Sequence, residues 1–400
     1  MISSEILTTE VNIVDSIKEK YFLKFGNTGD AEKIRVFRSP GRINLIGEHT
    51  DYNNGFVLPA SVDKAVYFVI SPREDDQVIL YAADLNESYT FSLGDLSKPE
   101  KSWPHYQLGI IEQIQKNDLT IGGFQAAFGG DVPVGAGLSS SAALECCLLF
   151  ALNEMYGLNL DRFNIVKMSQ KAENEYVGVQ CGIMDQFASA FGKEEAVIRL
   201  DCRSLEYEYF PFPMDEYLLV LCDTSVKHSL ASSEYNTRRL ECERGTAILQ
   251  KYDSKVLSLR DASPELVEAH KDELADVVYR RCKFITEEIQ RVQDACDLLI
   301  EGDMAAFGKK MYATHYGLQH EYEVSCPELD FLVAETQDNP AVLGARMMGG
   351  GFGGCTINLV KKEAVPEFEK QMKSAYLEKY QIDLPCYKVK ITTGTEEIIN

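Results

Sequence analysis

The stretch GAGLSSSAALE, residues 135–145, sets two glycines and three consecutive serines directly ahead of a strongly apolar helical run. Glycine reaches positive φ and lets backbones approach closely, so the N–H groups of Gly135, Ala136, Gly137 and Leu138 can converge on one anion. The helix behind adds its unpaired N-terminal donors and the positive end of its dipole. Ser139, Ser140 and Ser141 bring hydroxyls that suit either capping that helix or holding phosphate oxygens and a hard cation. Both uses stay open on this stretch alone.

Outward from the loop, the chain alternates strand and helix. GGFQAAFGG (122–130) reads as the strand entering it. Upstream, KIRVF, AVYFVIS, QVILYAA and SYTFSL are rich in β-branched and aromatic residues, and a helical pattern covers 106–116. Downstream, helical periodicity resumes to about residue 178, followed by the strand-like EAVIRLDC, EYEYFPF and YLLVLCD. Residues 229–336 are helical in pattern, with Pro264 and Pro327 placed as first-turn prolines. The tail is mixed: GARMM, CTINLV, a helix over 365–379, then CYKVKIT. The expectation is an α+β chain of two lobes, 1–215 and 216–400.

The 400 residues exceed what one core usually serves. With 62 acidic against 40 basic residues the formal charge is −22, which opposes a broad footprint on nucleic acid or an anionic membrane. An anionic ligand therefore needs a local pocket. The N-terminus lacks the pattern of a secretory signal and reads as a leading amphipathic helix, and no apolar run is long enough to span a membrane. Eleven scattered cysteines without a C-x-x-C pair read as reduced thiols, mostly in the core. A cytoplasmic monomer acting on small molecules is expected.

Three further stretches carry candidate chemistry. In MMGGGFGGCT, Gly349, Gly351 and Gly354 fit G-x-G-x-x-G, but CTINLV after them is strand-like, and Cys355 stands where a P-loop needs lysine. A tight loop between strands remains. SPGRINLIGEHTDYNNGFVLP (39–59) gathers Arg42, Glu48, His49, Asp51 and Tyr52 among turn residues, a varied donor and acceptor set suited to a polyhydroxyl compound. In KAENEYVGVQCGIMDQFASAFG (171–192), Glu173 ends one helix and Asp185 opens another, so that one carboxylate can hold Mg²⁺ and the other can meet a substrate hydroxyl. Each of these stretches alone also fits a solvated loop or helix face.

Together they resemble the GHMP small-molecule kinases, and most nearly the branch that phosphorylates galactose. GRINLIGEHTDY, PVGAGLSSSAALE, CGIMDQ, HSLASSEYNTRR and GARMMGGGFGGCT match in order across residues 39–356. The resemblance implies a lobe like domain 2 of ribosomal protein S5, a ferredoxin-like second lobe with added helices, and an active site between them. It implies ATP-dependent phosphorylation of the anomeric C1 hydroxyl of α-D-galactose, the first committed step of galactose catabolism by the Leloir pathway. Arg42 and Asp185 would be the catalytic pair. Glu48, His49, Asp51, Gly182 and Tyr235 would contact the sugar. Trp103 and the segment from Gly135 through Ala136, Gly137, Leu138, Ser139 and Ser140 to Ser141 would hold ATP, and Ser141 with Glu173 would hold Mg²⁺. For Asp185, proton abstraction and simple positioning are competing roles.

Two positions depart from the family pattern: Ser39 in place of the usual alanine, and Met348 where threonine is commoner, which removes a hydroxyl beside the nucleotide loop. A sister class acting on N-acetylgalactosamine shares nearly every motif, and the bulk of Ile183 favours the unsubstituted sugar. A catalytically inactive galactose and ATP sensor is the other alternative. The intact serines, with Arg42 and Asp185, oppose it.

Overall fold

The alternation of buried side chains along two strands organises the first lobe. In the computed structural model, which describes residues 4–26, 33–133, 135–227 and 231–399, helix α1 (Ser4–Phe25) precedes strand β1 (Arg35–Asn44). Then come β2 (Phe56–Val57), β3 (Pro59–Pro72), β4 (Gln77–Ala82), β5 (Glu87–Ser92), α2 (His105–Lys116) and β6 (Phe124–Gly130). On β3, Val66, Phe68 and Ile70 point into one core cluster while Tyr67 and Val69 point into another. Strand periodicity of two puts those sets on opposite faces, so this sheet is covered on both sides and its strands read as nearly unbroken apolar runs.

One cover is α1, whose Val14, Ile17 and Tyr21 fall at helical spacing and meet Val36, Tyr67, Val69 and Ala127. The Tyr21 hydroxyl lies 2.6 Å from Ser71 Oγ. The other cover includes α2 and α3 (Ser140–Tyr156), the apolar helix behind the glycine–serine loop. The sheet runs β13-β1-β3-β6-β4-β5, with β4 and β6 parallel and the other pairs antiparallel. Its edge strand β13 (Glu396–Glu397) comes from the far end of the chain.

Helices α4 (Arg162–Lys171) and α5 (Met184–Phe191) follow α3, with a π-helical turn, Ala172–Val177, between them. Strand β7 (Ala196–Asp201) pairs with β2 on one side and with β8 (Tyr207–Pro211) on the other in a small sheet. A four-stranded antiparallel sheet, β10-β11-β9-β12, begins with β9 (Tyr217–Lys227). Between β9 and β10 lie α6 (Ala231–Leu249), α7 (Pro264–Ala269), α8 (Asp276–Glu301), α9 (Met304–His320) and α10 (Pro327–Ala334). β10 (Val342–Met347), β11 (Gly353–Lys361), α11 (Val365–Tyr380) and β12 (Cys386–Val389) complete the second sheet and its helical cover.

The expected prolines do open helices: Ser263 caps α7 by accepting from Leu266 N, with Pro264 behind it, and Pro327 opens α10. All eleven cysteines are free thiols and eight are buried, as a core role requires. No helix among the described residues is long and apolar enough to cross a membrane. Of the motif residues, Val134 and 228–230 lie outside the described residues.

The turn-rich reading of 39–59 needs correction at its start, because residues 39–44 belong to β1. A register shift between Pro40 and Arg42 keeps proline and glycine inside a strand. Pro40 has no N–H to place, and the missing Cβ of Gly41 matters because one built there would lie 2.8 Å from Leu138 O.

Phe68 is fully buried and stacks on Phe128 with centroids 5.0 Å apart. Phe68→Ala is expected to lower unfolding stability by about 3–5 kcal/mol, to be measured by urea denaturation.

Candidate active site

Arg42 joins three segments that are far apart in sequence. Its Nε donates to Asp185 Oδ1 at 2.7 Å and its Nη2 to Asp185 Oδ2 at 2.9 Å, a two-pronged pair between β1 and the first turn of α5. Its Nη1 donates to Gly137 O, and its backbone N donates to Leu138 O at 3.0 Å. Desolvation works to lower the Arg42 pKa, but the facing Asp185, Glu48 and Asp51 outweigh it and raise it.

Ser139 takes a left-handed conformation at φ 55° as the N-cap of α3, and its hydroxyl makes no capping bond. It donates to Asp185 Oδ2 instead. For this serine the choice left open by the sequence falls away from capping. The first backbone donors of α3, beside Ser140 and Ser141, are thus without a side-chain cap from Ser139. The second glycine loop faces the first: a Cβ on Gly349 would sit 3.7 Å from Gly137 Cα, and one on Gly354 3.5 Å from Gly135 O. Met348 is buried behind Gly137.

A cleft of about 610 Å³ opens beside the pair, lined by Arg42, Glu48, His49, Asp51, Glu173, Gly182, Asp185 and Tyr235 among others. All of the expected sugar contacts thus share one cavity. Residues 45–54 bend around Thr50, whose hydroxyl lies 2.9 Å from Gly47 O and 2.6 Å from Phe56 O and shares its one proton between them. His49 has φ 62°, and its Nδ1 lies 2.8 Å from Tyr52 OH, which lies 2.8 Å from Tyr322 OH. Burial is the main reason its imidazole pKa falls to about 4, so it is neutral near pH 7. Tyr235 on α6 stands with its ring 5.4 Å from His49.

Asp51 Oδ1 accepts from Tyr52 N at 2.9 Å. Desolvation, with the Asp185 charge second, pushes its carboxyl up to about 7. Gly182 is required opposite it: a Cβ there would stand 1.9 Å from Asp51 Oδ2. Glu173, on the π-helical turn, is pushed up to about 7 by the same two causes, while the nearby Ser141 pulls the other way. Gln186 Nε2 donates to Glu173 at 2.8 Å. Among the described residues no group of three or more His, Cys, Asp or Glu could hold a metal.

Trp103 is not brought into the cleft lining. It packs against Phe128 and Tyr89, with Nε1 donating to Glu87 Oε2 at 3.1 Å. Several residues were not singled out from the sequence: Arg346, which binds Glu48 at 2.9 Å; Tyr322; Gln186; and Glu145, fully buried and raised well above the usual carboxylate range by desolvation and by Glu173. Glu145 closes the GAGLSSSAALE stretch, and its charge inside an apolar helix was the available signal.

Comparison with known proteins gives matches along most of the chain. Residues 19–72 match the galactokinase galactose-binding signature, 105–193 the GHMP kinases N terminal domain, and 295–378 the GHMP kinases C terminal family. A galactokinase of Thermotoga neapolitana is 40% identical over 363 residues, 90% of this chain and 99% of that protein. One of Clostridium beijerinckii is 40% identical over 393 residues, 97% of this chain and 99% of that protein. The crystal structure of Lactococcus lactis galactokinase complexed with galactose superposes with a TM-score of 0.92 at 35% identity, covering 96% of this chain and all of the other.

Because the pKa of Asp51 is higher folded than unfolded, its ionisation costs the native state stability as pH rises from near 4 to about 7. Asp51→Asn is expected to reduce that loss within the window and change little below it, as read from urea unfolding at stepped pH.

Proposed function

The chain belongs to the galactokinases, a branch of the GHMP kinases, and from this we infer how its cleft carries out the reaction. The enzyme phosphorylates galactose with ATP. We place the sugar in the cleft with its anomeric C1 hydroxyl turned to Asp185, so that the products are galactose 1-phosphate and ADP. The observation that carries this reading is the two-pronged Arg42–Asp185 pair, which closes the cleft on the side where the glycine–serine loop meets it.

A sugar hydroxyl is a weak acid, so its attack on a phosphoryl group needs strict alignment and stabilisation of the charge that develops. Asp185 offers a carboxylate to that hydroxyl, either accepting its proton or orienting its lone pair. Arg42 balances the carboxylate and lies against Gly137 O, on the path of the transferring group. The phosphates of ATP lie over residues 135–141, held by main-chain N–H groups and the start of α3. This supplies attraction for an anion in a chain of charge −22.

Glu48, His49, Asp51, Gly182 and Tyr235 hold the sugar. A neutral His49, with its Nδ1 engaged by Tyr52, suits hydrogen bonding to a hydroxyl better than proton transfer. Asp51 supplies selectivity, because an epimer that presents its hydroxyl elsewhere leaves a buried carboxylate unpaired.

Mg²⁺ fits beside Glu173 and Ser141. Burial and the Asp185 charge press Glu173 towards its neutral form, and a cation there relieves both. One carboxylate, one hydroxyl and phosphate oxygens form a donor set that Mg²⁺ accepts, and when bound it would neutralise phosphate charge. The two lobes are taken to divide near residue 215, and the enzyme to act as a monomer.

ADP release measured against galactose, N-acetylgalactosamine and glucose is expected to be fastest with galactose; a preference for N-acetylgalactosamine would transfer the chain to the sister activity. Asp185→Asn is expected to lower kcat by about 100-fold or more while calorimetry still detects galactose binding. An unimpaired kcat would reject the assignment. Glu173→Gln should raise the Mg²⁺ concentration needed for half-maximal rate and leave galactose binding unchanged.

A further inference from the structure

Arg346, on β10, is fully buried and heads the buried side chains in size. All of its hydrogen-bonding partners are oxygens close at hand. Nε donates to Leu45 O at 2.7 Å, Nη1 to Met347 O at 2.6 Å, and Nη2 to Asn44 O and to Glu48 Oε1 at 2.9 Å. Three of the four acceptors belong to the end of β1 and the turn after it, so a residue of the second sheet grips the signature stretch of the first lobe. Gly349 N donates to the same Glu48 Oε1 at 2.9 Å. Glu48 lines the cleft, and both bonds fall on one of its oxygens.

A glutamate carries three side-chain torsions, and ordering them costs free energy that a ligand would otherwise have to supply. Two donors on Oε1 fix the plane of the carboxylate before any ligand arrives. The buried cation also offsets the desolvation of the acid. Gly349 belongs to the loop that faces Gly137, so the fixed carboxylate is braced from the nucleotide side as well.

We propose that Arg346 is a positioning residue for the sugar: it pins Glu48 by Oε1 so that Oε2 is presented to a galactose hydroxyl. The proposal rests on the reading above that Glu48 touches galactose. Arg346 itself touches no substrate. Its planar fork is the essential feature, because lysine keeps the charge but cannot span Leu45 O, Asn44 O and Glu48 together.

The test is a double-mutant cycle of Arg346→Lys and Glu48→Ala, with KM for galactose, KM for ATP, kcat and thermal unfolding measured for each. Arg346→Lys is expected to raise galactose KM roughly 10- to 100-fold and to leave ATP KM within about twofold. In the Glu48→Ala background the same change should move galactose KM by less than about twofold, since alanine leaves no acceptor for the arginine to hold. Additive effects, or a folded Arg346→Lys enzyme with unchanged galactose KM, overturn the proposal. If Glu48→Ala alone leaves galactose KM unchanged, the sugar role of Glu48 falls and the proposal with it. If Glu48→Ala matters and Arg346→Lys does not, only the proposal falls. Should Arg346→Lys fail to fold, the unaltered enzyme crystallised with galactose decides. Glu48 bonded to the sugar through Oε2 while Oε1 stays on Arg346 supports the proposal, and Glu48 swung off Arg346 overturns it.

Discussion

The guanidinium of Arg42 is the node on which the site depends. A buried arginine is stable only where its donors all find acceptors, and here they are supplied by α5 through Asp185 and by the glycine–serine loop through Gly137. Those segments come from β1, from the connection between β6 and α3, and from a helix some 140 residues beyond β1; the Arg42–Asp185 pair itself spans 143 positions. Arg42 therefore holds the three segments at one point on the wall of the cleft. Ser139 tightens the same node by donating to Asp185 rather than capping its own helix.

The cleft concentrates like charge. Glu48, Asp51, Glu173 and Asp185 all line it, and burial together with mutual repulsion lifts Asp51 and Glu173 towards neutrality. Such crowding is tolerable because each acid has its own counterweight. Asp185 has Arg42, Glu48 has Arg346 and Gly349 N, Asp51 has Tyr52 N, and Glu173 has Gln186. A cation and a polyhydroxyl ligand would add further counterweights to these acids.

Much of the fold was legible along the chain. Strands such as AVYFVIS and CTINLV, the helix before Lys116 and the proline-led helices α7 and α10 stand where pattern and turn chemistry put them. The candidate site was legible where it lies in a compact stretch, as in 39–59, because Arg42, Glu48, His49 and Asp51 share a few turns of chain and one cleft. Arg346 was not, since nothing in GARMM distinguishes a surface arginine from one that reaches 298 positions back to Glu48. Tyr322 escaped for the same reason, as its partner Tyr52 is 270 positions away. Trp103, placed on the nucleotide side by the resemblance alone, is packed against Phe128 and Tyr89 and bonded to Glu87, contacts that no local pattern announced.

By itself the sequence determined the α+β class and the glycine–serine loop that leads into an apolar helix, because propensity, periodicity and local glycine chemistry act over a few residues. Only the tertiary structure decided that residues 39–44 are strand rather than loop, that Ser139 faces Asp185, and that a fully buried arginine joins the second sheet to Glu48 in the cleft wall. Those outcomes turn on which distant donor reaches which buried acceptor, a competition settled by packing and desolvation and left unmarked in any local run of residues.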